Sequence, residues 1–410
     1  MSDIAKFDAP YPLGEIPALP EHKSVSVHDC SAGYFMAYAA DCDGADFSEY
    51  VELLLVEGYE ITAENTITDN RFVTLRNVGN GLRVHTYFIQ SAGEIRVVAS
   101  EWQGALPSKQ DYESVCSTKV CQINAAHGIP GLDEGMSFVI RLRDGRFIII
   151  DGGYRRGVCG KDVYDTLKAL ATDPEHIKVA AWILTHYHGD HVGGFLEFAE
   201  MYSDDLSIGI ERFVFNFPSD PVFCQNLAGD HTARVGEYAA LYYPGASVYT
   251  AQTGEIYEFA NARIEMLFTP QDYMPRTIEN EADGIEAGTK KGDGNNLSLV
   301  FRIDFGNKTF FVMADTTTVC CDEMCRRYGS YMKSDYVQAS HHGLSNPSPR
   351  AHNATKEIYD AISPEYAFMP CSATRYEVRR EYEVNVHLAN MVKKIYVAGE
   401  GTVSIDFDGE

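Results

Sequence analysis

Residues 179 to 198 read VAAWILTHYHGDHVGGFLEF. A continuous apolar run of this length is consistent with a strand buried on both faces, which requires further layers of structure on either side of it. The run then breaks abruptly. His186, His188, Asp190 and His191 follow within half a dozen positions, and Gly193 and Gly194 lead into Phe195, Phe198, Ala199 and Tyr202, a stripe at helical spacing. A core strand tipped with three imidazoles and a carboxylate, and followed at once by a helix, points to a helix-covered sheet with polar chemistry along one edge.

The same alternation fills the chain from residue 119 onward. SFVIRLRDGRFIIIDGG predicts a strand, an Asp-Gly turn and a second strand ending at Asp151, Gly152 and Gly153, and KDVYDTLKAL places Val163, Leu167 and Leu170 on one helix face. ERFVFNF, IYEFANARIEMLF, LSLVFRIDFGNKTFFVMAD and YVQAS read as strands and HTARVGEYAALYY as a helix. After them come a helix, a strand, a helix and a hairpin ending in KIYVAGEGTVSIDF. Residues 119–410 are therefore expected to form one α/β unit with mixed sheets. Residues 1–112 read as a separate small α+β domain of structural or regulatory purpose: a helix around FSEYVELLLVEGYE, then a meander of RFVTLRNV, LRVHTYFIQ and GEIRVVAS. The polar WQGALPSKQDYESVCSTK connects the two, and 410 residues agree with more than one domain.

A formal charge of -25 makes the average surface anionic, which disfavours adhesion to nucleic acid or anionic lipid. A polyanionic partner would need a local positive site such as a bound metal. The opening segment MSDIAKFDAPYPLGEIPALPEH has no basic stretch followed by an apolar one, and no apolar run approaches the roughly 20 residues that span a bilayer, so the expected address is cytoplasmic, with no membrane partner. The pattern specifies no oligomeric state. The ten cysteines contain no CxxC pair. Even the cluster Cys320, Cys321 and Cys325 reads as small apolar residues, reduced and buried.

Two further strands repeat the polar tip. KTFFVMAD ends in Asp315, and YVQASHHG ends in His341 and His342. Three strands that stop in ligand-type residues fit the rule that sites form beyond the carboxyl ends of strands. Imidazole and carboxylate suit zinc, and also manganese or iron. His186 and His188, alternate residues, can share one ion, and Asp190 and His191 can reach a second. Without metal, crowding these groups at the end of a core strand would cost several kcal/mol. His22, His28, His127, His176 and His352, each alone, read as ordinary polar side chains.

The run His186-x-His188-x-Asp190-His191 with Gly193-Gly194 resembles the signature of the metallo-β-lactamase superfamily. GMSFVIRLRDGRFIIIDGG, NNLSLVFRIDFGNKTFFVMAD and DYVQASHHGLSNPS follow in the order of the branch that includes the hydrolase domain of bacterial DNA-uptake competence proteins. The resemblance spans residues 119 to 410 and implies a four-layered αβ/βα sandwich with one or two divalent metal ions, zinc before manganese or iron, at the edges of two packed sheets. It implies that His186 and His188 hold the first ion, Asp190 and His191 the second, and that Asp315 bridges them. Neighbours in extended chain point oppositely, so one of His341 and His342 would complete the set, and the resemblance implies His342, because superfamily members commonly place this ligand immediately before a small residue; His341 would then support it from behind or donate a proton. Asp151 resembles the aspartate that supports the ligand loop from behind. A further histidine is common at the first ion, and the one candidate in the interval is His231. Asp293, Asn295 and Asn296 are alternatives.

Such a centre lowers the pKa of bound water from about 15.7 towards 7 and implies hydrolysis, with Asp190 orienting the attacking water and taking its proton. The SHHG form and the competence-protein resemblance lean towards a phosphoester, and the anionic surface leans away from long nucleic acid. Together they favour a small-molecule or short nucleotide substrate. Ser345, Asn346 and Ser348 can donate to its oxygens, though turn residues need no such purpose. A thioester or lactone hydrolase, and a catalytically silent metal-binding or interaction protein, are the other readings. A redox di-iron protein ranks last because no flavin-binding partner domain is visible.

Overall fold

The computed structural model describes residues 4–19, 24–31, 34–125, 134–155, 158–217, 229–279, 294–344 and 354–409. The amino-terminal part is a six-stranded antiparallel sheet. Its strands are β1 (Val25–Ser31), β2 (Tyr34–Ala39), β3 (Tyr59–Ile67), β4 (Asn70–Asn77), β5 (Leu82–Ile89) and β6 (Glu94–Glu101), in the order β1-β2-β6-β5-β4-β3. Helix α1 (Gly44–Val56) lies between β2 and β3, started by Asp43, whose carboxylate accepts from the backbone of Ala45 and Asp46 in a capping box. The expected three-strand meander is thus half of this sheet. β1, VSVHDCS, has no sustained apolar alternation, and the exposed β3 carries mostly polar residues.

Two larger sheets follow. The first contains β7 (Lys119–Gln122), β8 (Ser137–Arg141), β9 (Phe147–Asp151), β10 (Ile177–Ile183), β11 (Ile208–Ile210), β12 (Arg212–Phe215) and β13 (Ser247–Thr250). The second contains β14 (Ile256–Phe259), β15 (Ala262–Phe268), β16 (Val300–Asp304), β17 (Thr309–Val312), β18 (Tyr336–Gln338), β19 (Tyr366–Met369) and β20 (Lys394–Val397). The last strand, β21 (Val403–Asp406), returns to the first sheet and pairs antiparallel with β7. The expected closing hairpin is therefore absent: β20 runs parallel to β19, and β21 crosses to the other sheet. One strand in each sheet ties the two together at the end of the chain.

Period-two burial explains the layering. In β9, Ile148 and Ile150 point into the core between the large sheets, with Ile183, Phe301, Phe310 and Phe368, while Phe147 and Ile149 point out to the helices. Helices α2 (Cys159–Leu170) and α3 (Gly189–Tyr202) cover the first sheet, where Trp182 sits edge-on to Phe195 and Phe198 of α3, each 5.1 Å away. Helix α4 (Gly229–Tyr242) packs beside α3, and α5 (Pro270–Glu279) follows β15. Helices α6 (Thr318–Tyr328) and α7 (Lys356–Ile362) cover the second sheet, and the short α8 (Ala373–Arg379) and α9 (Glu383–Met391) lie between β19 and β20. The result is a four-layered αβ/βα sandwich.

One face of the amino-terminal sheet packs on α1, and the other joins the core of the sandwich through Met36, Phe72, Tyr87 and Ile89. Buried ions mark that joint. Arg96 donates to the Gln271 carbonyl, and Arg327 pairs with Asp272 at 2.6 Å and with Glu323 at 2.6 Å. Among the described residues no helix is long and apolar enough to cross a membrane. The cysteines among them are not in disulfides, and Cys320 and Cys321 are buried in α6, while Cys325 is partly exposed.

Candidate metal centre

The polar tips of three strands converge. β9 and β10 are parallel neighbours, as are β17 and β18, so Asp151, His186, Asp315 and His342 all leave their sheets at the same edge. His188 is the residue before α3, and Asp190 occupies its first turn, where the helix dipole favours a negative charge. The turn lies tightly against the end of β9. Gly152 donates to the His191 carbonyl at 2.6 Å and Gly194 to that of Gly153 at 2.7 Å, and a Cβ on Gly194 would overlap the Gly152 carbonyl oxygen. The paired glycines are a steric requirement of this approach.

Two sets of side chains gather there. Asp190, His191, Asp315 and His342 form one, and His186, His188 and Asp315 the other; within each, one ligand atom per residue lies within 4.8 Å of the rest. Asp315 belongs to both. Its Oδ2 is 3.2 Å from His191 Nε2, 3.3 Å from His342 Nε2 and 3.8 Å from His186 Nε2. Asp190 Oδ2 is 3.0 Å from His342 Nε2. Around a tetrahedral ion with bonds of about 2.0–2.2 Å, ligand atoms lie about 3.4 Å apart, so these separations match the edges of a coordination polyhedron. His186 Nε2 and Asp315 Oδ1 are buried with no hydrogen-bond partner among the described residues. Such orphans are costly unless something else binds them, and a divalent cation fits the donor set.

The far sides of two of the imidazoles are held. His191 Nδ1 lies 2.7 Å from Asp151 Oδ2, and Asp151 also accepts from the Thr185 amide and hydroxyl, both at 2.7 Å. His342 Nδ1 is 2.9 Å from the Pro370 carbonyl. Both rings are thereby turned with Nε2 towards Asp315, the arrangement that fixes tautomer and direction in metal-bound histidines. Asp151 itself adopts a left-handed conformation, φ 53°.

Sequence reasoning placed His341 and His342 in extended chain. Instead Ser340–Gly343 form a tight turn in which His341, His342 and Gly343 are left-handed, with φ of 48°, 54° and 70°. His342 enters the cluster, while His341 stays partly exposed at the rim, its Nε2 3.8 Å from Asp315 Oδ2. Thr185 and the Pro370 carbonyl were not foreseen. Thr185 was legible only as a neighbour of His186, and nothing local in the sequence signals a backbone carbonyl 28 residues beyond His342.

Electrostatics follow from this crowding. Burial opposes charge on Asp315, but His191, His342 and His341 outweigh it and hold its carboxyl well below the ordinary range. Burial likewise disfavours imidazolium at His191, yet Asp315, Asp190 and Asp151 raise it to about 10. His342 is also raised well above its usual value, against burial, by Asp315 and Asp190. His186 goes the other way: burial, then His191 and His188, keep it neutral.

His231 falls on α4, and its side chain lies outside the described residues, as do Asp293, Ser345, Asn346 and Ser348, and His22, His127 and His352. Asn296 Oδ1 accepts from the Thr317 amide at 3.0 Å and hydroxyl at 2.8 Å, securing the start of α6. His28 and His176 are ordinary polar groups, 2.9 Å from Ser26 Oγ and 2.9 Å from Asp173 Oδ2.

Residues 130–343 match the family profile described as the Metallo-beta-lactamase superfamily. No curated protein matches the chain. Among solved structures, the metallo-beta-lactamase fold protein YhfI from Bacillus subtilis aligns at 13% identity and a TM-score of 0.42, over 71% of this chain and 100% of that one. The diiron beta-hydroxylase CmlA from Streptomyces venezuelae aligns at 14% and 0.41, over 73% of this chain and 55% of its own, so this chain spans about half of CmlA. Unliganded yeast PDE1 aligns at 12% and 0.40, over 70% and 99%.

Proposed function

The chain belongs to the metallo-beta-lactamase superfamily, and from that premise we propose that it is a metal-dependent hydrolase of a phosphoester bond in a small or nucleotide-like substrate, nearest in kind to the hydrolase domain of competence proteins. The observation that carries this reading is the meeting of Asp315 with both histidine sets at one sheet edge. His186, His188 and Asp315 would hold one ion, and Asp190, His191, Asp315 and His342 the other. Among the described residues the second set offers four side chains and the first three. When bound, the ions supply Lewis acidity towards the scissile oxygen and acidify the attacking water; zinc suits this donor set, as do manganese and iron.

The chain's own residues do the rest. The Asp190 side chain is 15% exposed, against 2% or less for its three partners, so it meets incoming water, orients it and takes its proton. His341, partly exposed at the rim, would return a proton to the leaving oxygen. The net charge of -25 keeps long polyanions away and leaves the cationic centre as the attraction for a short one. The amino-terminal sheet is a structural unit joined to this hydrolase.

The test is metal content together with turnover of a chromogenic bis-aryl phosphodiester, a thioester and a lactone. Turnover of the phosphodiester, abolished with metal loss in Asp315→Ala while the fold survives, is the expected result. Stoichiometric metal with no turnover of any probe would leave a silent binding protein, and preference for the thioester or lactone would reassign the substrate.

A further inference from the structure

We propose that Arg379 is a positioning residue for the metal centre, acting with Glu134 and Asn385 to lock His342 at its fixed distance from Asp190. This rests on the metal-centre reading above. The turn Ser340–Gly343 is an unfavourable one to hold by itself, because two consecutive residues with a Cβ are left-handed within it. Its carbonyls are gripped from outside. Arg379 Nη1 donates to the His342 carbonyl at 2.8 Å, and Asn385 Nδ2 donates to the Gly343 carbonyl at 2.8 Å and to that of Arg379, also at 2.8 Å. Both side chains are buried, from α8 and α9, in a region whose sequence shows no ligand pattern.

The other arm of Arg379 reaches across the sandwich. Its second terminal nitrogen pairs with the Glu134 carboxylate, in the segment that leads into β8 of the first sheet. That segment also holds the other half of the site: the Met136 amide donates to the Asp190 carbonyl at 3.1 Å. Glu134 forms a backbone bridge with Cys371, next to the Pro370 carbonyl that orients the His342 ring. Asp190 comes from the first sheet and His342 from the second. The path Asp190, Met136, Glu134, Arg379, His342 is thus a crossbar between the two halves of one coordination set.

Removing it should loosen the ion that depends on His342 more than the ion of His186, His188 and Asp315, whose ligands the crossbar does not touch. The probe is cobalt(II) titrated into metal-free full-length protein and followed by its visible d–d absorption, with His342→Ala marking which ion depends on that ligand. Arg379→Ala should weaken the same ion roughly 10- to 100-fold, the usual effect of losing a support behind a ligand. Arg379→Lys, with one donor head instead of a fork, should fall between, and Arg380→Ala, on the exposed side, should match wild type. If Arg379→Ala does not fold, Glu134→Gln decides by the same comparison. Wild-type affinity for that ion in Arg379→Ala or Glu134→Gln, or equal weakening of an ion that His342→Ala leaves untouched, would overturn the proposal. Cobalt binding indifferent to His342→Ala would instead sink the metal-centre reading itself.

Discussion

The residue that most repays attention behind the ligands is Asp151. As a carboxylate it only accepts, so all three of its bonds come from donors: the Thr185 amide, the Thr185 hydroxyl and His191 Nδ1. His191 must therefore carry its proton on Nδ1 and present a bare Nε2 to the metal. Asp151→Asn keeps the shape but supplies an amide donor, which favours the opposite tautomer and blocks Nε2. Metal affinity at the His191 set should fall roughly 10- to 100-fold with little change in fold, measured by zinc competition against a chelating dye. A second prediction concerns pH. In the metal-free protein the His191 pKa is raised to about 10, above its unfolded value, so its contribution to stability is fully present below about 6.5 and is lost as pH rises through about 10. Metal-free protein should therefore melt at progressively lower temperature between pH 7 and pH 10, and added zinc should restore more stability at the upper end, as differential scanning fluorimetry would show. A metal-free melting temperature that climbs over this range would contradict the charge balance. At this scale the ligand types were legible because histidine and aspartate clusters at strand tips have few other uses. Their supports were not: the Pro370 carbonyl is a backbone acceptor, which leaves no trace in residue identity, and Thr185, which donates its amide and hydroxyl to Asp151, shows in the sequence only as the neighbour of His186.

Elements were legible where burial imposes a period. β9 and β10 are buried along nearly their whole length and stand out as apolar runs, and α2 and α3 show their stripes. The closing KIYVAGEGTVSIDF shows where pattern reading stops. Two short half-exposed strands separated by glycines look like a hairpin, but their partners lie elsewhere, β19 for one and β7 for the other. Pairing of this kind is decided by tertiary position rather than by local sequence. The junction of β9 with α3 is the element-scale feature most open to test. A methyl group on Gly194 would collide with the Gly152 carbonyl oxygen, backbone against backbone, so no side-chain rotation relieves it. Gly194→Ala should cost about 1–3 kcal/mol or more in chemical denaturation and should also weaken metal binding, because α3 carries Asp190 and His191. Gly236→Ala, at a helix position where an added Cβ meets nothing within 4 Å, is the control and should be neutral or slightly stabilising.

At the scale of the whole molecule, the expectation of a separate amino-terminal domain meets a joint with the character of a core. Met36, Phe72, Tyr87 and Ile89 of the six-stranded sheet share one apolar cluster with the helices of the sandwich. Beneath them Asp272 takes hydrogen bonds from Tyr87 and Arg327 and lies 3.7 Å from Arg96. Asn70, from the sheet, donates to the Arg327 carbonyl at 3.0 Å. Arg327 belongs to the last turn of α6, the helix that follows Asp315, so the sheet is fastened to an element that starts at the candidate metal centre. Buried ions of this kind add little when complete but are expensive to break, because removing one partner strands the others away from water. The intact chain should therefore unfold as one cooperative unit despite its length. The two tryptophans make this measurable, since Trp102 lies just past β6 and Trp182 within β10. In Trp102→Phe and Trp182→Phe variants the remaining indole reports on one part at a time, and the two guanidinium midpoints should coincide. Asp272→Asn, which removes the carboxylate shared by two buried guanidinium groups and leaves Arg327 with Glu323 and Arg96 with Glu94, should cost about 3–5 kcal/mol and pull the midpoints apart. Midpoints already separate in the parent protein would mean that the sheet folds and unfolds without regard to the metal centre.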